Sequence, residues 1–179
     1  MTAVWAERVL VDGVVETGVR LETDATGRIT RRESGVAAHP GDDLADFVVP
    51  GFANAHSHLF HRVLRGRTHD SGGDFWAWRE QMYAVAAELD PDAYRELATA
   101  VFAEMLAAGY TAVGEFHYLH HRPDGTPYPQ EHAMELALAT AAREVGIRLV
   151  LLDTSYLTGG LGTPLRPEQR AFEIGRAHV

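Results

Sequence analysis

At 179 residues, with an apolar content ordinary for globular proteins, the chain is of single-domain size. Its formal charge of −9 argues against nucleic acid or an anionic membrane as the main partner, and no stretch is long and apolar enough to span a bilayer. There is no cysteine, which excludes disulfides and thiolate ligands, so any metal must be held by His, Asp or Glu.

Residues 1 to about 47 read as short strands with tight turns. Trp5 to Val11 and Val14 to Leu21 flank Asp12-Gly13, a hairpin signal. Asp24-Ala25-Thr26-Gly27 is a second turn, followed by Arg28-Ile29-Thr30, and His39 to Asp43 is a polar connection. This small β element has too few apolar residues to stand alone. Met1 to Arg8 lacks the charged-then-apolar pattern of a signal peptide, so a cytoplasmic setting is the default expectation.

The apolar run from Val48 closes on His56-Ser57-His58. In a β-strand the side chains alternate, which sends His56 and His58 to one side, and two neutral imidazoles there form half of a tetrahedral metal site. The other reading of such a pair is chance occurrence on an exposed loop. An insertion, Leu59 to Leu89, follows, with Phe75, Trp76, Trp78, Met82, Tyr83 and Val85 at roughly helical spacing; a helix packing on the core accounts for most of that stripe. Asp90-Pro91-Asp92 starts a helix, with Asp at the N-cap and Pro at the first helical position, and Gly109 ends it. Tyr110 to His117 is a strand, Arg122 to Pro129 a loop, and about Glu131 to Val145 a second helix stopped by Gly146. Ile147 to Leu152 is a buried strand.

Strands alternating with helices imply a parallel sheet with right-handed crossovers, and functional groups at the carboxyl ends of its strands. His56, His58, His117, Tyr118 and Asp153 all lie at such ends. Arg62, Arg65, Arg67 and Arg79 are the nearby cations. Arg65 and Arg67 read as a solvated basic loop, and Arg79 taken alone reads as a helix-surface charge paired with a neighbouring Glu. Three strands do not close a barrel. The last six residues, 174–179, spell what one reading frame of a common sequencing adapter encodes, so an assembly artefact is expected there.

The Pro50-Gly51-Phe52-Ala53-Asn54-Ala55-His56-Ser57-His58 string, the preceding β element and the strand–helix alternation resemble the amidohydrolase superfamily. Within it, His56 to Arg62, Phe75 to Tyr83 and Glu104 to His121 are similar to the formimidoylglutamate deiminase branch. The resemblance implies an α/β fold. Residues 1–47 would form part of a composite β-sandwich element, and 48–173 the first βα units of a metal-dependent (β/α)8 TIM-like barrel, incomplete in this chain. It makes His56 and His58 ligands of one Zn2+, preferred over iron or manganese, and places His61, Arg79 and Tyr118 on the substrate. The other two metal ligands and the catalytic Glu and His are expected beyond residue 179, so the fragment alone is expected to be inactive and poorly folded. His117, His120 and His121 invite a second metal site and Asp153 could mimic the missing metal Asp, but in the resembled branch the three histidines are not ligands and that Asp comes from the last strand.

The implied reaction of the full-length parent, expected as a homodimer, is hydrolysis of N-formimidoyl-L-glutamate, a small-molecule substrate, to N-formyl-L-glutamate and ammonia in histidine degradation. Its two carboxylates call for a planar cationic fork, which favours Arg79. The alternatives are a superfamily deaminase acting on a purine- or pyrimidine-type ring, and a non-catalytic metal-binding module.

Overall fold

A computed structural model describes residues 2–67 and 74–173. Residues 174–179, the expected artefact, lie outside the described residues, as does part of the insertion, 68–73. The chain divides into two compact units, Met1–Gly51 and Phe52–Val179.

The first unit is a four-stranded sheet in the order β3-β2-β1-β4. Strands β1 (Thr2–Val11) and β2 (Val14–Thr23) form the expected antiparallel hairpin. Asp12 and Gly13 both take positive φ, 48° and 81°, which matches the twist of the flanking strands. Strand β3 (Ile29–Glu33) adds to β2, and β4 (Asp43–Val48) runs parallel to β1 on its other side. The core is small: Ala6, Val9 and Val19, with Val11, Leu21, Ala45 and Val48 against them.

Strand β4 corrects the sequence reading, which expected one apolar run from Val48 to the histidines. Pro50-Gly51 splits that run. Its first part ends β4, and a separate strand, β5 (Phe52–Ser57), begins the second unit. The connection into β4 is fixed by charge. Arg20 on β2 donates from Nε to both oxygens of Asp42, at 3.0 and 2.8 Å, and from its terminal nitrogen at 2.9 Å. Trp5 Nε1 donates to the Val36 carbonyl at 2.8 Å.

In the second unit β5, β6 (Tyr110–His117) and β7 (Arg148–Asp153) form a parallel sheet in that order. Helices α1 (Phe75–Glu88), α2 (Pro91–Ala107) and α3 (Ala133–Val145) connect and cover it. The Asp90 side chain accepts from the Ala93 N–H at 2.8 Å, and Gly109 and Gly146 take φ of 89° and 87°, the left-handed stops expected of them. Tyr94, Phe102, Met134, Leu138 and Val113 pack between helices and sheet. On the opposite face of the sheet Phe116, Val150 and Leu152 are 37%, 53% and 46% exposed, so the three strands form an open arc and not a closed barrel. Among the described residues no helix is long and apolar enough to cross a membrane.

The aromatic stripe on α1 is buried only in its second half. Met82 and Tyr83 join the core, whereas Phe75 and Trp76 are 60% and 59% exposed. These two lie in the first turn, where Asp74 caps the helix through the Trp76 and Ala77 N–H groups and holds it at the surface.

Arg20 holds the Asp42 carboxyl below its usual value of about 3.9. A depressed acid stabilises the fold above its unfolded pKa and loses that contribution as pH falls through the folded one. Thermal unfolding followed from pH 7 downward should therefore show a loss of midpoint below about pH 4 that is smaller in Arg20→Met. Parallel midpoint curves for the two proteins would remove the pair from the account.

Candidate active site

The site begins at an irregularity in β5. Asn54 pairs with Val113 and Ser57 with Glu115, so three steps along β5 match two along β6. The extra residue makes a bulge at Ala55-His56, a device that re-aims side chains at sheet rims. The bulge frees the His56 N–H from the ladder, and the Asn54 side chain accepts from it at 3.1 Å. His58 lies past the strand, at the start of a 3-10 turn (Leu59–Leu64), with φ −127° and ψ 83°. The two rings meet edge to face at 5.4 Å between centroids. They do share a side, but through a bulge and a turn and not through simple alternation.

Glu115 holds that turn in place. It is fully buried, and its carboxylate accepts from the Leu59 N–H at 2.6 Å. Burial pushes its pKa up, while the Ser57 hydroxyl and the Leu59 N–H pull it down less strongly. The residues on both sides of His58 are thus tied to one side chain of the neighbouring strand.

His61 follows on the 3-10 turn and stacks on His58 at 4.8 Å. Its Nε2 lies 2.7 Å from the Tyr118 hydroxyl. Burial, aided by His58, pushes the His61 ring down to about 4, and burial raises Tyr118. Both are therefore neutral at pH 7, joined by one hydrogen bond. Burial also lowers His58, which keeps its imidazole in the form that binds metal. Its Nδ1 is buried with no hydrogen-bond partner. A buried, neutral, unpartnered imidazole nitrogen beside a second histidine fits a zinc ligand pair.

Arg79 approaches from α1. Its guanidinium lies over the Trp76 ring at 4.9 Å and the Tyr83 ring at 5.4 Å, and its Nε is buried without a hydrogen-bond partner. The expected pairing of this arginine with a neighbouring Glu does not occur among the described residues; Glu80 instead faces Arg166 at 3.8 Å. Phe172 joins the two sides of the site, with its ring 5.8 Å from Tyr83, 5.2 Å from Tyr118 and 5.3 Å from Tyr156.

The structure thus brings His56, His58, His61 and Tyr118 into direct ring contact and links Arg79 to them through an aromatic cluster. Arg62 pairs with Glu104, and Arg65 lies 3.8 Å from the same carboxylate, so these loop cations are surface charges. Sequence reasoning gave no role to Asn54, Glu115, Tyr156 or Phe172. For Glu115 a signal was present: an acid on the helix-facing side of a buried strand, in phase with Val113 and His117.

Residues 47–173 match the Amidohydrolase family model, and the chain belongs to that family. It is 39% identical to formimidoylglutamate deiminase of Pseudomonas aeruginosa over 98% of its own length and 40% of that enzyme's. It is 30% identical to 8-oxoguanine deaminase of the same organism, covering 89% of this chain and 33% of that enzyme. A crystal structure of an amidohydrolase from Brucella melitensis superposes with a TM-score of 0.91 at 38% identity, over 97% of this chain and 40% of that one. The chain therefore spans about two fifths of the length of two of these relatives and a third of the other's.

Replacing Glu115 by Ala strands the buried Leu59 N–H, and the unfolding free energy should fall by about 1–3 kcal/mol. Glu115→Gln, which keeps an acceptor oxygen, should recover most of that loss in urea titrations. Equal losses for the two variants would mean that packing, and not the hydrogen bond, matters at this position.

Proposed function

We propose that this chain is the metal-binding N-terminal portion of a zinc-dependent hydrolase that converts N-formimidoyl-L-glutamate to N-formyl-L-glutamate and ammonia. The reading rests most on Arg79: a guanidinium whose buried Nε has no partner, on the aromatic cluster that also contains Tyr118. A dianionic substrate calls for such a group, because a planar fork binds carboxylates bidentately. The 39% identity to formimidoylglutamate deiminase supports the same substrate.

His56 and His58 would hold the zinc, with the remaining ligands and the catalytic acid and base supplied by other segments. Zinc in such a site lowers the pKa of its bound water to about 7. The residues of this chain do the orienting. Arg79 takes a carboxylate, Trp76 and Tyr83 hold the guanidinium in place, and the neutral His61–Tyr118 pair offers a hydroxyl next to His58.

A second reading, deamination of a purine-type ring, draws support from the stacked Tyr118 and Tyr156 rings, 5.8 Å apart, and from the likeness to 8-oxoguanine deaminase. The two differ in what they ask of Arg79. In the whole enzyme, Arg79→Met should lower kcat/KM for N-formimidoyl-L-glutamate by about tenfold to a hundredfold, the loss expected for a hydrogen bond to a charged group. Turnover of 8-oxoguanine with none of N-formimidoyl-L-glutamate would instead establish the ring reading.

A further inference from the structure

We propose a second divalent-metal site in this chain, formed by His117, His120, Glu135 and Asp153, on the opposite face of β6 from the Phe116 ring that touches His58. One nitrogen or oxygen from each of the four residues lies within 4.8 Å of those of the others. His117 and His120 come from the end of β6 and the loop after it, Glu135 from the first turn of α3 and Asp153 from the end of β7.

The hydrogen bonding around the two rings points their second nitrogens at the carboxylates of the cluster. His120 Nε2 lies 2.8 Å from the Thr154 carbonyl, an acceptor only, so that nitrogen carries the proton and Nδ1 faces inward. Nδ1 is 2.6 Å from Glu135 Oε1 and 3.7 Å from Asp153 Oδ1. Without a metal, a proton on Nδ1 donates to Glu135 there; a divalent ion that binds the same nitrogen and oxygen takes that proton's place. His117 is turned the same way. Its side chain is 0% exposed, its Nδ1 is 3.4 Å from the Tyr94 hydroxyl, and its Nε2 makes no hydrogen bond although it lies 3.4 Å from Glu135 Oε1. Glu135 Oε2 is likewise buried and without a partner. Metal-binding histidines characteristically have the second ring nitrogen held by a carbonyl or other polar group, as both are here.

Bond lengths fit a small transition-metal ion. Tetrahedral zinc bonded to nitrogen and oxygen at about 2.0–2.2 Å sets neighbouring ligand atoms roughly 3.4 Å apart. The His117–Glu135 and His120–Asp153 separations of 3.4 and 3.7 Å are already near that value, and the His120–Glu135 contact of 2.6 Å has to open. Two imidazoles and two carboxylates suit zinc, cobalt or manganese better than calcium or magnesium. Access exists as well: a cavity of about 70 Å³ lined by His120, His121, Tyr128 and Glu135 borders the cluster, large enough for water, and the Asp153 side chain is 43% exposed. His121 is not a ligand; its Nδ1 is engaged by the Glu173 carbonyl at 2.6 Å.

Cobalt(II) is the probe. In the chain carrying His56→Ala and His58→Ala, which removes the first pair, equilibrium dialysis should give one bound Co2+ with visible ligand-field bands, and adding Glu135→Gln should abolish both. Tyr94→Phe, which keeps the packing and removes only the hydroxyl beside His117 Nδ1, should weaken the binding by about 10–100-fold. Asp153→Asn, at the exposed edge, should weaken it without changing the near-ultraviolet circular dichroism. Should the doubly substituted chain not fold, the same dialysis on the chain with both histidines in place decides: Asp153→Asn and Tyr94→Phe must each lower the stoichiometry or affinity of one site. The proposal is overturned if folded protein binds no Co2+ there, or binds it unaffected by the Glu135 or Asp153 change. A proton shared by His120 and Glu135 would then be the positive species between them.

Discussion

The geometry of the site depends on one buried carboxylate. Regular parallel pairing between β5 and β6 leaves no reason for the chain to turn after Ser57. Glu115 supplies it by accepting the Leu59 N–H within the core, where an unsatisfied acid costs several kcal/mol. The bulge just before it needs a second compensation, and Asn54 provides that through the His56 N–H. Each histidine is therefore flanked by a polar side chain that binds the backbone beside it. These hydrogen bonds fix the backbone that carries the rings, and His58 Nδ1 is left without a hydrogen-bond partner.

That dependence explains what could be read from the sequence. Asp90, Gly109 and Gly146 were legible because a cap is decided within one helical turn by the residue's own side chain or its lack of one. The hairpin at Asp12-Gly13 was legible for the same reason. Strand β4 was not, since it is short and polar at its start, with Leu44 and Phe47 exposed, and its partner β1 lies some forty residues earlier. The bulge at His56 and the role of Glu115 are properties of two strands together. Along β5 alone nothing distinguishes a bulged residue from a regular one. The histidine pair itself was legible, but the reason its rings meet was not.

The site's electrostatics run against the charge of the whole. The chain carries −9, yet the rings that meet at His58 are neutral, and the acid beside them, Glu115, is turned to the backbone at Leu59. Burial keeps His58 and His61 unprotonated and Tyr118 protonated, so Arg79 supplies the fixed charge on this side. An arginine held by two aromatic faces loses little further freedom when it meets a carboxylate, and its buried Nε gains a partner it otherwise lacks. The acids on the neighbouring surface, Glu80 and Glu104, face Arg166, Arg62 and Arg65 instead of Arg79.

Strand β6 lies beside the histidine pair on one face and carries His117 on the other. Phe116 meets the His58 ring at 5.2 Å, while His117, the next residue, points into the helix-covered side. Tyr118 leaves the strand between them. Its backbone is bracketed by two contacts to the end of β7: the Thr154 N–H donates to the His117 carbonyl at 2.9 Å, and His120 donates to the Thr154 carbonyl at 2.8 Å. The His120 and His121 N–H groups also bond the Ala171 carbonyl, next to Phe172. An ion held by His117, His120, Glu135 and Asp153 would cross-link the two strand ends and the start of α3 around the residue that supplies the hydroxyl beside His61. The second metal would then act on the first site through geometry, by limiting the motion of Tyr118, and not through charge, since Tyr118 itself remains neutral.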